Sequence, residues 1–190
     1  MTPAHELRLS LPDWCVRLTA SLPDRLPDAD ARMALAIELS RRNVDAGTGG
    51  PFGAVVCDAA GSVLAVGVNR VEAENCSSAH AEIVALGLAQ RTLACWNLAE
   101  TPGAPVELAT SCEPCAMCLG AIPWSGVARV LCGASKRDAE LTGFDEGERP
   151  ADWIDVLARR GICVRTGLRR DEAAAVLRDY RERGAPIYNP

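Results

Sequence analysis

Four side chains in two short segments have the types and the spacing of a catalytic metal site. His80 and Glu82 are separated by one residue, and Cys115 and Cys118 follow later in the chain, directly after Pro114. One imidazole and two thiolates give a tetrahedral zinc ion three protein ligands and leave its fourth position to water, as a catalytic zinc requires. Zinc lowers the pKa of that water to about 7, and Glu82 is placed to carry protons. The sequence therefore predicts a hydrolytic site that uses Zn²⁺.

The spacing alone leaves other interpretations of these residues open. His80 is compatible with an ordinary histidine at a helix start, and a lone C-x-x-C pair near an α/β pattern is often a thioredoxin-like redox pair. Cys112 is a candidate fourth ligand of a closed structural site. The combination of Pro114, the cysteine pair and the upstream His80 and Glu82 favours the catalytic zinc. Cys112 is then expected to be a packed thiol at a strand end.

The length and composition favour one compact domain without nucleic-acid or membrane partners. The 190 residues are 48% hydrophobic, which is enough for a sizeable core. The nine cysteines are scattered and odd in number, so we expect reduced thiols rather than a disulfide scaffold. No apolar run approaches the roughly 18 residues of a membrane span, and no secretory pattern opens the chain, so we expect a cytoplasmic protein. The net charge of −5, with dispersed arginines, offers no footprint for a phosphate backbone.

The first 28 residues are predicted to be an extension, and residues 29–190 a single catalytic domain. Four prolines in the extension oppose a long regular element, so we expect it to pack on the surface. Asp28 or Asp30 is a candidate N-cap for the first helix of the domain, which ends at a glycine-rich stretch.

Hydrophobic periodicity predicts helices and strands that alternate along the domain. The predicted helices are 28–46, 80–93, 115–122, 153–160 and 171–183, and the predicted strands are 52–57, 63–68, 106–110, 127–132 and 162–166. The first two strands read as a hairpin, and the alternation indicates an α/β architecture. The metal ligands fall in the first turns of two helices, whose positive ends favour thiolates over thiols.

The segments His80-Ala81-Glu82 and Pro114-Cys115-Ala116-Met117-Cys118 together resemble the signature of the cytidine deaminase superfamily. The resemblance implies an α/β protein with the three-layer α/β/α cytidine-deaminase-like fold and a central mixed sheet. It also implies that zinc-bound hydroxide attacks the amino-bearing carbon of an aromatic heterocycle. Glu82 is then the proton shuttle, which moves protons from the water to the ring nitrogen and to the departing ammonia.

Within this superfamily, the chain is similar to bacterial guanine deaminases over roughly residues 30 to 190. The similar segments are 50–56, Asn69 and 110–122, together with the acidic loop 143–147. This loop discriminates most, because transfer-RNA adenosine deaminases and cytidine deaminases do not carry it in this form. Substrate choice is therefore expected to depend on the acidic loop.

The resemblance implies roles for residues beyond the zinc ligands. It assigns substrate contacts to Phe52, Asn69, Ala81, Trp124, Asp145 and Tyr188, and a catalytic role to Glu146. Asn69 is expected to hydrogen-bond the ring edge, and Phe52 and Trp124 to wall the base. On residue type alone, Asn69 is a turn residue and Trp124 a packing residue.

Glu146 is the residue expected to recognise guanine. A carboxylate only accepts hydrogen bonds, so it suits the N–H groups at N1 and at the exocyclic amine of guanine, and it is expected to assist proton movement toward the leaving amine. Without the resemblance, Asp145 and Glu146 would be interpreted as surface charges in a glycine-bounded loop.

The sequence thus predicts a zinc-dependent guanine deaminase that converts guanine to xanthine and ammonia. Ammeline, guanosine and cytosine or cytidine are alternative substrates. A transfer-RNA adenosine deaminase would need a basic channel and stacking aromatics, which the acidic balance and the 4% aromatic content oppose. A zinc-stabilised binding module, in which Glu82 has no role, is a non-enzymatic alternative.

The resemblance also implies a homodimer, because relatives dimerise. In guanine deaminases of this type the C-terminal segment covers the partner's active site, so residues 187–189 are a candidate lid whose closure excludes water. Whether the lid comes from the same chain or from the partner stays open at this point.

Overall fold

A computed structural model describes residues 4–188, and the sheet at its centre is mixed. The strands in this range are β1 (Gly53–Cys57), β2 (Val63–Val68), β3 (Glu107–Cys112), β4 (Arg129–Ala134) and β5 (Cys163–Arg165). The helices are α1 (Asp13–Thr19), α2 (Ala29–Asp45), α3 (Ala81–Thr92), α4 (Ala116–Ser125), α5 (Lys136–Thr142), α6 (Trp153–Ala158) and α7 (Arg170–Glu182), with a short 3₁₀ helix at Leu98–Glu100. None of the described helices is long and apolar enough to cross a membrane.

The strand order across the sheet is β2-β1-β3-β4-β5. Strand β1 pairs antiparallel with both β2 and β3, whereas β4 pairs parallel with β3 and with β5. Two strands that are both antiparallel to β1 run in the same direction, so β2 and β3 end at the same edge of the sheet. The predicted α/β class with a central mixed sheet is confirmed.

Separate hydrophobic clusters cover the two faces of the sheet, because side chains alternate along each strand. In β1, Val55 packs in the cluster that contains residues of α2 and α7, whereas Val56 packs with residues of α3, α4 and α6. Leu108 and Ala109 of β3 divide between the two clusters in the same way. Helices therefore lie on both sides of the sheet and give the three expected layers.

Helix α3 lies close to β2 because the residue at their contact is Gly67. A Cβ atom at this position would lie 2.1 Å from the carbonyl oxygen of Ala81 and 2.6 Å from the amide nitrogen of Ala85. Any side chain would push the first turn of α3 away from the sheet. Gly67 therefore sets where this turn begins, and His80 and Glu82 with it.

Two short helices were not predicted from the sequence. Helix α1 lies in the proline-containing extension, where Cys15 is fully buried in the cluster that contains α2 and α7. Helix α5 begins with a capping box, in which Ser135 and Asp138 exchange hydrogen bonds. Each helix has seven residues, which is too short for periodicity to be decisive. The division of the chain at residue 28 stays a prediction.

Candidate active site

The three predicted metal ligands lie at the starts of two helices. His80 is the N-cap of α3 and Cys115 is the N-cap of α4, and neither side chain caps its own helix. Their carbonyl oxygens accept helical hydrogen bonds from the amides of Val84, at 2.9 Å, and Leu119, at 2.8 Å. Cys118 lies in the first turn of α4. All three ligands are therefore near the positive ends of helices, which stabilise thiolates.

The ligand atoms have the separations of a tetrahedral zinc site. The Sγ atoms of Cys115 and Cys118 lie 3.5 Å and 3.7 Å from Nδ1 of His80. Zinc–sulfur and zinc–nitrogen bonds of about 2.3 Å and 2.0 Å at a tetrahedral angle put these atoms about 3.5 Å apart. This mixed nitrogen and sulfur donor set fits Zn²⁺. Cys112 is not in the ligand group of the described residues, since its thiol donates to the carbonyl of Ser135 at 3.6 Å.

The electrostatics of the cluster also fit a bound cation. Hydrogen bonds from the Cys118 thiol and from His80 lower the pKa of Cys115 to about 4. Burial, reinforced by the negative Cys115 sulfur, raises the pKa of Glu82 above its ordinary value and that of Glu146 to about 8. Anionic groups this close to one another repel, so full ionisation of the cluster needs a compensating positive charge.

One small cavity brings the carboxylates of Glu82 and Glu146 to the metal ligands His80 and Cys115. Its lining residues are Phe52, His80, Glu82, Glu113, Cys115, Glu146 and Tyr188. Its volume is about 10 Å³, on the order of the space that one water molecule needs. Glu82 is 6% exposed and Glu146 is 5% exposed. Glu146 is thus not a surface charge, whereas the neighbouring Asp145 is exposed and accepts a hydrogen bond from the amide of Gly147 at 2.8 Å.

Contacts that sequence analysis missed hold the acidic loop against the start of α4. The carbonyl oxygen of Glu146 accepts a hydrogen bond from the amide of Ala116 at 2.9 Å. Arg149 pairs with the carboxylate of Glu113 and donates to the carbonyl of Pro114 at 3.1 Å. Arg149 and Glu113 are far apart in sequence, so no local pattern signals their pairing. Together these contacts anchor the loop next to the zinc ligands.

Phe52 and Tyr188 line the cavity, and Asn69 lies behind Phe52 without lining the cavity itself. The rings of Phe52 and Tyr188 both pack on Phe144, with centroid separations of 5.0 Å and 5.1 Å. Asn69 is buried, and its main-chain N–H donates to the carbonyl oxygen of Phe52 at 3.1 Å. The side-chain nitrogen Nδ2 of Asn69 is buried and has no hydrogen-bond partner among the described residues. A buried donor is therefore available next to Phe52, which lines the cavity.

Trp124 and Ala81 do not reach the cavity with their side chains. Trp124 is 81% exposed and lines a surface hollow beside α3. It follows Cys118 by six positions in α4, which places it about 9 Å further along the helix axis. The expected wall contact of Trp124 is therefore not made within a single chain. The side chain of Ala81 packs in the hydrophobic cluster beneath α3.

Known deaminases resemble this chain both in sequence and in structure. The family model of the cytidine and deoxycytidylate deaminase zinc-binding region matches residues 27–134. Guanine deaminase of Bacillus subtilis (strain 168) is 42% identical over 111 residues, which are 58% of this chain and 67% of that protein. Among solved structures, guanine deaminase from Nitrosomonas europaea is 44% identical, with a TM-score of 0.89 over 96% of this chain and 100% of that chain. A protein in complex with 2,6-diaminopurine is 46% identical, with a TM-score of 0.90 over 97% of both chains.

Substitution of a single ligand is expected to remove the metal. His80→Ala and Cys118→Ser should each retain less than about a tenth of an equivalent of zinc, because two remaining ligands hold the ion weakly. Cys112→Ser is the matched control and should retain about one equivalent, because its thiol is not a ligand. Inductively coupled plasma mass spectrometry of the purified proteins measures their zinc content. Loss of zinc from folded Cys112→Ser would contradict a site with three protein ligands.

Proposed function

The chain belongs to the cytidine and deoxycytidylate deaminase family, and on this premise we propose that it is a guanine deaminase. Guanine and water become xanthine and ammonia by attack at C2, the carbon that bears the amino group. The observation that carries the proposal is the buried carboxylate of Glu146, which shares a cavity with His80, Cys115 and Glu82. The similarity to guanine deaminases of two bacteria supports the same substrate.

Glu82 carries the protons of the proposed reaction. His80, Cys115 and Cys118 would hold zinc, which would supply a water molecule activated for attack at neutral pH. Glu82 accepts one proton from this water and passes it to the ring nitrogen next to C2. A second proton, from the hydroxyl now on C2, goes by the same carboxylate to the amino group, which leaves as ammonia. The burial of Glu82 keeps these transfers away from bulk water.

Glu146 selects the base by the hydrogen-bond donors that the base presents. Guanine offers N1–H and the exocyclic amine side by side, and one carboxylate accepts from both. Glu146 is 5% exposed, so a base without these donors leaves a buried acceptor unsatisfied, which disfavours its binding. The same carboxylate lies beside the amine that leaves, where it assists proton delivery.

Asn69 and Phe52 hold the remainder of the ring. The buried, unpartnered Nδ2 of Asn69 supports its role as a donor, because the purine offers acceptor atoms away from the amino group. Phe52 lines the cavity and supplies an apolar wall. Asp145 shapes the loop that carries Glu146 through its hydrogen bond with the Gly147 amide.

Tyr188 acts as a lid that opens for the substrate. Tyr188 lines the cavity, whose free space of about 10 Å³ is smaller than a nucleobase, and we infer that this segment moves when a base binds. Tyr188 lies one residue after Ile187, and both pack against their own chain. This packing supports a lid from the same chain. Asn189, the last residue of the predicted lid, lies outside the described residues.

The exposed side of α3 and α4 is the surface through which we infer a homodimer. Helix α4 is apolar on all sides, and its outer side carries Trp124, 81% exposed, and Met117, 39% exposed. The adjacent hollow is lined mainly by apolar residues of α3 and α4, among them Ile83 and Ala121. A contiguous apolar surface of this kind is usual at subunit interfaces.

The substrate is tested by ammonia release from purified, zinc-quantified protein. Guanine is expected to react fastest in a panel with guanosine, adenine, adenosine, cytosine, cytidine and ammeline. Glu82→Gln should lower guanine turnover by at least about 10²-fold, because it removes proton transfer by a positioned carboxylate, and should keep its zinc. Reaction only with cytidine or adenosine would overturn the substrate assignment and leave the zinc chemistry intact. Unchanged turnover by Glu82→Gln would remove the proton shuttle.

Glu146→Gln is expected to lower kcat/KM for guanine by about 10²-fold, because the amide places a donor against the donors of guanine. Zinc content should not change. The matched control is Glu148→Gln, which alters the same charge on an exposed side chain two residues away and should stay within about twofold of the unsubstituted protein. Steady-state kinetics with guanine distinguish the two variants. Equal kinetics for both would place Glu146 outside the base-binding site.

Trp124→Ser is expected to convert the dimer to a monomer, because it removes the largest exposed apolar side chain of α4. Trp96→Ser is the control, since Trp96 is 75% exposed but lies after α3 and does not line this hollow. Size-exclusion chromatography with light scattering measures the masses. A dimer that persists in Trp124→Ser and dissociates in Trp96→Ser would place the interface elsewhere.

A further inference from the structure

A glycine-rich loop next to Asn69 is held by the N-terminal extension. The loop, residues 47–50, joins α2 to β1 and contains three glycines, which give a chain more conformational freedom than other residues do. Its neighbours are the buried Asn43 of α2 and the strand end at Asn69. The reaction proposed above uses neither the loop nor the extension.

A series of hydrogen bonds begins in α1 and ends beside Asn69. The indole Nε1 of Trp14 donates to the hydroxyl of Thr48 at 3.0 Å, and that hydroxyl donates to Oδ1 of Asn43 at 2.8 Å. Since an indole N–H only donates, the Thr48 oxygen accepts from Trp14 and its own proton remains for Asn43. Because Oδ1 of Asn43 faces Thr48, Nδ2 of the same side-chain amide faces away from Thr48.

Asn43 then fixes two main-chain positions of the base-binding wall. Its Nδ2 donates to the carbonyl oxygens of Gly50 and Asn69, each at 2.9 Å. The main chains at Gly49 and Asn69 lie so close together that a Cβ atom at Gly49 would be 2.0 Å from the carbonyl oxygen of Asn69. Asn43 is fully buried, so a reversed amide would bring its oxygen against two carbonyl oxygens. One orientation of Asn43 is therefore strongly favoured.

A second connection runs from the extension to the same loop. Ser10 donates through its hydroxyl to the carboxylate of Glu74 at 2.6 Å, and Glu74 also contacts Arg70 at 3.4 Å. Arg70 follows Asn69 directly and donates to the carbonyl oxygen of Thr48 at 2.6 Å. Ser10 is thus a second residue of the extension, besides Trp14, that is connected to Thr48 of the loop. Its connection runs through Glu74 and Arg70.

The side chain of Asn69 depends on this framework because its own contacts are weak. Its Oδ1 accepts from the amides of Gly50 and Val71 at 3.4 Å and 3.3 Å, at the long end of hydrogen-bond distances. Its Nδ2 has no partner among the described residues. The position of the Gly50 amide, which Asn43 determines through the adjacent carbonyl, therefore influences where Nδ2 points.

We propose that the N-terminal extension is a positioning element for substrate, which acts from Trp14 through Thr48 and Asn43 on Asn69. This inference rests on the proposed function, in which Asn69 donates to the nucleobase. Trp14, Thr48 and Asn43 are positioning residues and touch no reacting atom. The proposal assigns the extension a role in substrate affinity in addition to its packing against the core.

Thr48→Val tests the connection, because valine has nearly the shape of threonine and lacks the hydroxyl. We expect KM for guanine to rise by about tenfold, with a smaller change in kcat, because the Asn43 amide loses the partner that orients it. Zinc content should not change, whereas the midpoint of thermal unfolding should fall by a few degrees, because the buried Oδ1 of Asn43 loses its donor. Thr48→Ser keeps the hydroxyl and should restore KM to within about twofold. Trp14→Phe keeps an aromatic ring and should raise KM by a smaller factor.

A double-mutant cycle separates positioning from a general loss of stability. In the Asn69→Ala background, Thr48→Val should have no further effect on KM, because the side chain through which it acts is gone. The same tenfold rise in both backgrounds, or an unchanged KM in Thr48→Val alone, would overturn the proposal. If the unsubstituted protein deaminates another base and not guanine, the proposed substrate fails. The cycle is then measured with that base and still decides the positioning role.

Discussion

Four acidic side chains crowd into one buried site, and the need to compensate their charge dominates the structure. Cys115, Cys118, Glu82 and Glu146 are all under 9% exposed and share the same small region. An isolated buried anion costs several kcal/mol, and neighbouring anions add to that cost. The starts of two helices compensate part of this charge, and a divalent metal held by His80, Cys115 and Cys118 would compensate the rest. A bound zinc ion would thus serve the charge balance of the site as well as its chemistry.

The topology of the sheet makes the two helix starts converge. Since β2 and β3 are both antiparallel to β1, they end at the same edge of the sheet, and α3 and α4 follow them on the same face. Gly67 lets α3 approach β2 closely, and Pro114 leads from β3 into Cys115 within two residues. The ligand spacing in sequence therefore reflects a spatial requirement, which is that both helices begin next to one metal.

The sequence predicts best those parts of the site that local chemistry determines. His80, Cys115 and Cys118 are recognisable because a zinc ligand set has fixed residue types and spacing, and β2 spans the predicted residues 63–68. The burial of Glu146 is not a local property, because it depends on the pairing of Arg149 with Glu113 in a distant segment. Trp124, for which the family resemblance implies a wall contact, is exposed on α4 outside the cavity of its own chain, so a contact with the base would depend on how the chain assembles. Long-range ion pairs and assembly are thus what the residue pattern leaves undetermined.

The enclosure of the site favours a free base over a nucleoside or a nucleotide. Phe52 and Tyr188 close the cavity on one side, and Glu82 and Glu146 are inside it. A sugar attached to the base would need further room beside Tyr188 and would admit water to the buried Glu82. A phosphate would in addition meet the buried carboxylates and a net charge of −5, with no basic groove to attract it. A free base avoids both costs, because it carries neither a sugar that needs room beside Tyr188 nor a phosphate that adds negative charge next to buried carboxylates.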